Sequence, residues 1–584
     1  MPTNRSFHAC RAVILILLSA LLFWATGCAT PVGVRSLEPE TANRKLAANV
    51  LSKGTLSAST TQILNRSGLA NRFDTAPEAV IAALHRGLPT AAKADQHFAL
   101  AELSFLHGTR SGDVTYFRAA AVYAYAFLFP ANGDGAVYLI DPRLRLAVDL
   151  YNLGIGRGFT SPETGEVTLR PGWYRLPFGD LTLGADRDLF QLGPYRIGDL
   201  RDATRIDVRG LRNRYQWPGI GASLVGSLTP VPGARKPSYA LMPPGLRVAV
   251  TAFIRFDDLQ SGFDTGHLTG MLHLSTPQED TDIEVNGRRI PIEYSQSAAL
   301  ASSLEGSRAY AFEIRGLLSG EVDLFGESGW EKDNILLMEP YRPGRIPVVL
   351  IHGTASSPAR WAEMLNELQN DRALWSRYQF WLFTYNTGNP ILYSGGILTS
   401  SLRRVVDELD PGGTDEALKR MVVIGHSQGG MLARMTAIDS GSRFWDGAFP
   451  VPFDRMGLSP EAGEILHRSM FYTPLPFVER VIFIATPHRG SFVAGGRIGQ
   501  LTSRLITLPF RLIDPITEVF ERSTESAAAR SIEDIPKSTD NMDPGHQFVQ
   551  TFSSIPISDG IEAHSIIAVK NLEAPRERWN DGVV

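Results

Sequence analysis

Hydrophobic and polar positions change rhythm several times along this chain. After an apolar stretch from Ala12 to Ala25, broken only by Ser19, and a polar segment at Thr30–Pro39, the region Glu40–Thr160 spaces its apolar residues at helical intervals. Ala91–His107 and Tyr116–Phe129 are Ala-rich examples, with Gly108–Asp113 as the break between them, and Asp141-Pro142 ahead of Arg143–Leu153 reads as another helix start. From about Val167 to Phe325 the pattern becomes alternation and turns. Leu246–Phe256 is β-rich, and Asp282–Val285 and Arg289–Tyr294 flank Asn286-Gly287, a hairpin signal because both turn positions tolerate positive φ. Pro291 places that hairpin at a sheet edge, and Ala309–Ile314 adds a further alternating run. A small β-sandwich-like accessory domain is the expectation. Beyond the Pro- and Gly-bearing segment Glu339–Arg345, short apolar strands alternate with helical stretches, the signature of a parallel α/β sheet.

At 584 residues the chain exceeds a single core, and roughly three or four domains are expected. Apolar and charged fractions of 43% and 20% are those of a folded globular protein. A net charge of -4 without a long basic run gives no footing for nucleic acid as a partner.

The N-terminus departs from this picture. Arg5 and Arg11 precede the apolar stretch, which ends in Ala25-Thr26-Gly27-Cys28 and reads as a secretory signal. At about 14 residues it falls short of the ~20 a spanning helix needs. Its end resembles the lipobox of bacterial lipoproteins, with Ala25 where Leu is usual. The resemblance implies acylation of Cys28, palmitate included, and a membrane anchor of lipid; Ala29 after the cysteine implies the outer membrane, facing the periplasm. A plain signal peptide cut near Cys28, or an uncleaved anchor, are the other readings of the same residues. Only Cys10 and Cys28 exist, and Cys10 lies in the segment that cleavage would remove, so a mature exported chain would have no pair to oxidise. The expected layout is a signal segment 1–28, a helical region 29–160, a β-rich accessory domain 161–335 and an α/β domain 336–584.

The chemistry is carried by that last part. Met421–Ile424 is a buried-strand run leading into Gly425-His426-Ser427-Gln428-Gly429 and then a helical stretch. Strand, G-x-S-x-G and helix together force the serine into strained backbone geometry above the strand ends, and the flanking positions must be small to avoid clashes. Acyl transfer also needs donors for the developing oxyanion. One is the backbone N–H of Gln428. Arg345–Ile351, followed by His352-Gly353-Thr354, supplies a second strand and loop.

In these residues the chain resembles bacterial lipases and carboxylesterases of the α/β-hydrolase superfamily. The resemblance implies a mostly parallel, doubly wound sheet, Thr354 as the second oxyanion donor and His352 as a structural residue of the loop. Two further strands fit it: Tyr378–Thr384, followed by Tyr385-Asn386-Thr387-Gly388, and Val481–Ala485, followed by Thr486-Pro487-His488-Arg489-Gly490-Ser491. His488 is implied to shape the site, because the triad order in this fold is Ser, acid, His. His564–Val569 reads as the next strand, and Asp581, in Asp581-Gly582-Val583-Val584, is the implied triad acid; Asp543 is more simply part of an Asp-Pro-Gly turn. No histidine follows Asp581, and the expected last strand and helix are missing. A sequence that continues beyond Val584 with the catalytic histidine, a fold that has lost its activity and serves binding, and an upstream histidine acting out of order are the competing accounts.

Arg497–Arg522 puts Ile498, Leu501, Leu505, Leu508, Leu512 and Val519 on one face, a lid or an ordinary packed helix. Gly441–Pro476, rich in aromatic and Pro residues, is another candidate cap. The expectation is a lipid-anchored serine esterase or lipase acting on an ester or lipid-like molecule, needing no metal or organic cofactor. Acyl transfer or amide hydrolysis by the same serine, and a catalytically silent envelope-binding protein, are the alternatives.

Overall fold

The computed structural model describes residues 32–573 apart from 89–92, 131–139, 186–188, 234–240, 243–244, 278–279, 306–333, 355, 491–514, 516, 518, 520–544 and 570–572. Cys28 and its signal segment, the run Ala309–Ile314, Ser491, most of Arg497–Arg522, Asp543 and Asp581 therefore lie outside the described residues. Among the described residues no helix is long and apolar enough to cross a membrane.

The helical region is built mainly from α1 (Lys93–Ser111), α2 (Val114–Leu128) and α3 (Arg143–Gly158). The expected break at Gly108–Asp113 narrows to its last residues. Helix α1 runs to Ser111, Gly112 turns the chain at φ 76°, and the Asp113 carboxylate accepts from Thr115 N at 2.9 Å to cap α2.

A seven-stranded sheet follows, formed by β1 (Gly172–Leu176), β2 (Gly179–Gly184), β3 (Gln191–Leu192), β4 (Tyr195–Asp202), β5 (Ala222–Pro230), β6 (Arg247–Asp257) and β7 (His267–Ser275). Its order is β1-β2-β7-β6-β5-β4-β3. The β-sandwich expected here is instead one sheet between helical layers. Leu224 of β5 and Val250 of β6 face a core shared with Tyr151 and Ile155 of α3. Their neighbours Val225 and Ala249 point the other way, onto Ala298 and Ala299 of α4 (Gln296–Leu304). Strand alternation reports that a face is covered, not whether a sheet or a helix covers it. The hairpin forms as read: β8 (Asp282–Val285) and β9 (Arg288–Pro291) pair antiparallel, with Asn286 at φ 51° and Gly287 at φ 73° in the turn.

The last region holds a six-stranded sheet: β10 (Ile335–Leu337), β11 (Ile346–Ile351), β12 (Tyr378–Phe383), β13 (Met421–His426), β14 (Val478–Ile484) and β15 (Glu562–Ile566), in the order β10-β12-β11-β13-β14-β15. Only β10 runs antiparallel. The continuous apolar runs follow from burial on both faces, the rule for parallel sheets wrapped by helices. Val348 and Leu350 face one cluster with Leu365 of α5 (Ala362–Asn370) and with Leu300 and Leu304 of α4. Val349, Ile351 and Val423 face the other, with Leu398 and Leu402 of α6 (Ile391–Leu409) and Met431 and Leu432 of α7 (Gln428–Met435). Strand order reverses at β11, with β12 to one side and β13 to the other. Crevices for ligands open at the carboxyl ends of strands at such a reversal.

Candidate functional site

Ser427 stands at that reversal, between the end of β13 and the first turn of α7. Its backbone is at φ 53°, ψ -123°, and its N–H donates to Ile484 O of the neighbouring strand at 2.9 Å. Such a conformation is costly for a residue with a Cβ and persists only where the surroundings enforce it. Here the enforcement comes from crowding. A Cβ on Gly425 would lie 2.2 Å from Gly429 O, and one on Gly429 would lie 2.4 Å from both Ile351 O and His352 O. A Cβ on Gly430 would meet Thr486 Oγ1 at 1.8 Å, so the loop after β14 presses on the start of α7. Helix α7 directs its N-terminal end to the same spot, which favours negative charge there.

The loop after β11 lies against the serine. A Cβ on Gly353 would be 2.9 Å from Ser427 Cβ and 3.0 Å from His426 Nδ1. Thr354 follows, and its hydroxyl donates to Gln428 Oε1 at 2.7 Å. Gln428 is fully buried, and its Nε2 donates to Thr387 O at 3.2 Å. Ser427, Thr354 and Gln428 are thus brought together, while Asp581 falls outside the described residues.

His352 and His488 are both held as packing residues. The His352 ring is almost fully buried and stacks on Tyr385 at 4.6 Å, and the Tyr385 hydroxyl donates to His352 O at 2.7 Å. Burial lowers its pKa to about 4, only partly offset by the Gly353 carbonyl. His488 meets Phe483 edge-on at 4.5 Å, with its Nδ1 3.4 Å from Arg434 Nη1. Burial, and then the Arg434 charge, lower its pKa to about 4 as well. Arg434 itself lies over Phe552 at 4.7 Å and donates to Ile555 O at 2.6 Å, tying α7 to α9 (Gln547–Ser554), which follows α8 (Pro460–Met470) in the chain. Both imidazoles are neutral at neutral pH.

Several contributors carry no sequence signal. Thr387 acts through its carbonyl, Thr486 through its contact with Gly430, and Arg434 resembles any basic residue on a helix. The positive φ of Ala485, 46°, marks a second sharp turn directly after β14.

Residues 348–535 match the profile of the alpha/beta hydrolase family. Over those residues the chain is similar to that family. The chain aligns with the mature lipase BlEst2 of Bacillus licheniformis at 14% identity, over 43% of this chain and 82% of that one, with a TM-score of 0.24. It also aligns with esterase B of Lactobacillus rhamnosis, solved with a C4-C4 tributyrin phosphonate inhibitor, at 13% identity over 46% and 73%, TM-score 0.23. Phospholipase PlaB of Legionella pneumophila matches at 14% identity over 38% of each chain, TM-score 0.22. No curated protein matches the sequence. The family profile, with the strand order and elbow of this chain, shows an α/β-hydrolase fold.

Proposed function

We propose that the hydrolase cleaves carboxylic esters through an acyl-enzyme on Ser427. The strained backbone of Ser427 at the tip of β13 carries this reading. A serine held at φ 53° serves no packing purpose that a glycine would not serve better, so its side chain is the reason for its being there. Its Oγ attacks the ester carbonyl, the backbone amides of Thr354 and Gln428 receive the oxyanion, and a histidine oriented by Asp581 takes the proton and passes it to the alcohol, which leaves as the C–O bond breaks. Water then releases the acid. Burial lowers the pKa of His352 and His488 to about 4, which makes each a weak base and favours another histidine for that role.

A fluorophosphonate probe tests the mechanism. Labelling of the full-length protein and none of its Ser427→Ala variant is expected; labelling that survives the substitution, or none at all on the full-length protein, would sink it. An acyl-chain series of p-nitrophenyl esters then places the substrate between esterase and lipase. Negligible rates on every ester alongside positive labelling would turn the reading towards amides or acyl transfer. The N-terminal Ala25-Thr26-Gly27-Cys28 supports the further proposal of a lipid-anchored protein of the bacterial outer membrane. Cys28→Ala is expected to move it from the membrane to the soluble fraction, and unchanged sedimentation would refute the anchor.

A further inference from the structure

The side chain of Gln428 ties two loops to the start of α7. Its own residue begins α7 beside Ser427, its Oε1 receives the Thr354 hydroxyl from the loop after β11, and its Nε2 reaches Thr387 O in the loop after β12. The amide orientation is fixed by chemistry. Thr387 offers a carbonyl, which can only accept, so the amide NH₂ must face it and Oε1 must face Thr354. Thr354 therefore donates, and its hydroxyl proton is committed to Gln428. Full burial of the amide removes water as an alternative partner for either end.

This geometry has a consequence for the two amides assigned above to the oxyanion. One sits on a helix fixed by the elbow; the other sits on a loop held against Ser427 by Gly353 and tethered by the Thr354 hydroxyl. We propose that the Gln428 side chain is a positioning clamp that sets the Thr354 amide relative to the Gln428 amide, with Thr387 as its anchor; this rests on the serine-hydrolase reading. Gln428 then acts twice, through its backbone on the substrate and through its side chain on the loop carrying the partner donor. Loss of the clamp acts on kcat rather than KM, because oxyanion donors bind the transition state more strongly than the ester.

Thr354→Val keeps shape and backbone N–H but loses the hydroxyl, and Thr354→Ser restores it. Gln428→Met removes both ends of the clamp at similar volume. With p-nitrophenyl butyrate, Thr354→Val and Gln428→Met are each expected to lower kcat about 10–100-fold with KM within about twofold. Thr354→Ser, which returns the hydroxyl, is expected to recover most of the kcat lost in Thr354→Val. The double variant is expected to lose no more than the worse single one, since both break one device. Hydrogen exchange of full-length protein supplies a readout independent of turnover: amides in peptides covering 352–356 and 386–390 are expected to exchange about tenfold faster in Thr354→Val and Gln428→Met. Parent-like kcat and exchange in Thr354→Val would overturn the clamp, as would a fully additive double variant. Absence of Ser427-dependent labelling in the parent would instead remove the hydrolase reading, and the exchange data would still decide whether Gln428 holds the loops.

Discussion

The Ser297 hydroxyl in α4 donates to Asn366 Oδ1 in α5 at 2.6 Å, and both side chains are buried. Ser297 Oγ also accepts from Tyr215 N at 2.7 Å, while Asn366 Nδ2 donates to Asn213 O at 2.9 Å. The pair joins the β-rich region to the helix that follows the Thr354 loop. Around it, Trp217 Nε1 donates to Asn370 Oδ1 at 3.2 Å and Asn213 Nδ2 to Glu367 Oε1 at 2.9 Å. The buried Ser297–Asn366 bond at its centre is costly to break, because a deleted group orphans its neighbours. Ser297→Ala orphans both Asn366 Oδ1 and Tyr215 N, at about 1–3 kcal/mol for each group. A thermal unfolding midpoint clearly below the parent's is expected; an unchanged midpoint would mean that the junction adds nothing.

The same junction bears on whether the hydrolase region stands alone. Leu300 and Leu304 of α4 cover Val348, Leu350 and Leu382 on one face of its sheet. Residues 336–584 expressed by themselves would expose that apolar face, which favours association over a soluble monomer. Insoluble or dye-binding fragment is the expected outcome, rescued by co-expression of the preceding regions. A soluble, monomeric fragment with cooperative unfolding would contradict it.

The strain at Ser427 yields a stability prediction with the opposite sign to most core substitutions. A Cβ at φ 53° costs about 1–3 kcal/mol, and glycine relieves it while adding about 0.5–1 kcal/mol of backbone entropy to the unfolded state. Ser427→Gly should unfold at a higher temperature than Ser427→Ala, which keeps the Cβ, with neither labelled by the probe. Matching midpoints would show that the elbow holds no strain.

How much of this was readable beforehand depended on the physics of each feature. The runs at Met421–Ile424 and Arg345–Ile351 could be read because a parallel strand covered on both faces is apolar at nearly every position. The elbow could be read because only small residues escape the carbonyl contacts at Gly425 and Gly429. The layer against β5 and β6 could not, since apolar alternation is the same under a helix as under a sheet. Nor could the Gln428 clamp: it joins residues 74 and 41 positions away, and a glutamine after the serine looks like any buried amide until those loops are placed. The tie between Arg434 and Ile555 is hidden for the same reason, with 121 positions between donor and acceptor.

The two buried histidines make stability depend on pH on the acid side. Their native pKa values of about 4 lie below the ordinary ~6.5 of the unfolded chain. Between those values the unfolded state takes up protons that the native state refuses, so stability falls as pH drops from about 6.5 to about 4. Each group contributes up to about 1.4 kcal/mol per pH unit across that window. The parent should therefore lose unfolding free energy steeply below pH 6.5, and His488→Gln, which removes one titrating ring, should show a shallower slope from 6.5 to 4 even where its stability at pH 8 is lower. Parallel slopes for parent and variant in urea titrations would mean that His488 protonates as freely in the native protein as in the unfolded chain, and that its packing against Phe483 and Arg434 does not hold it neutral.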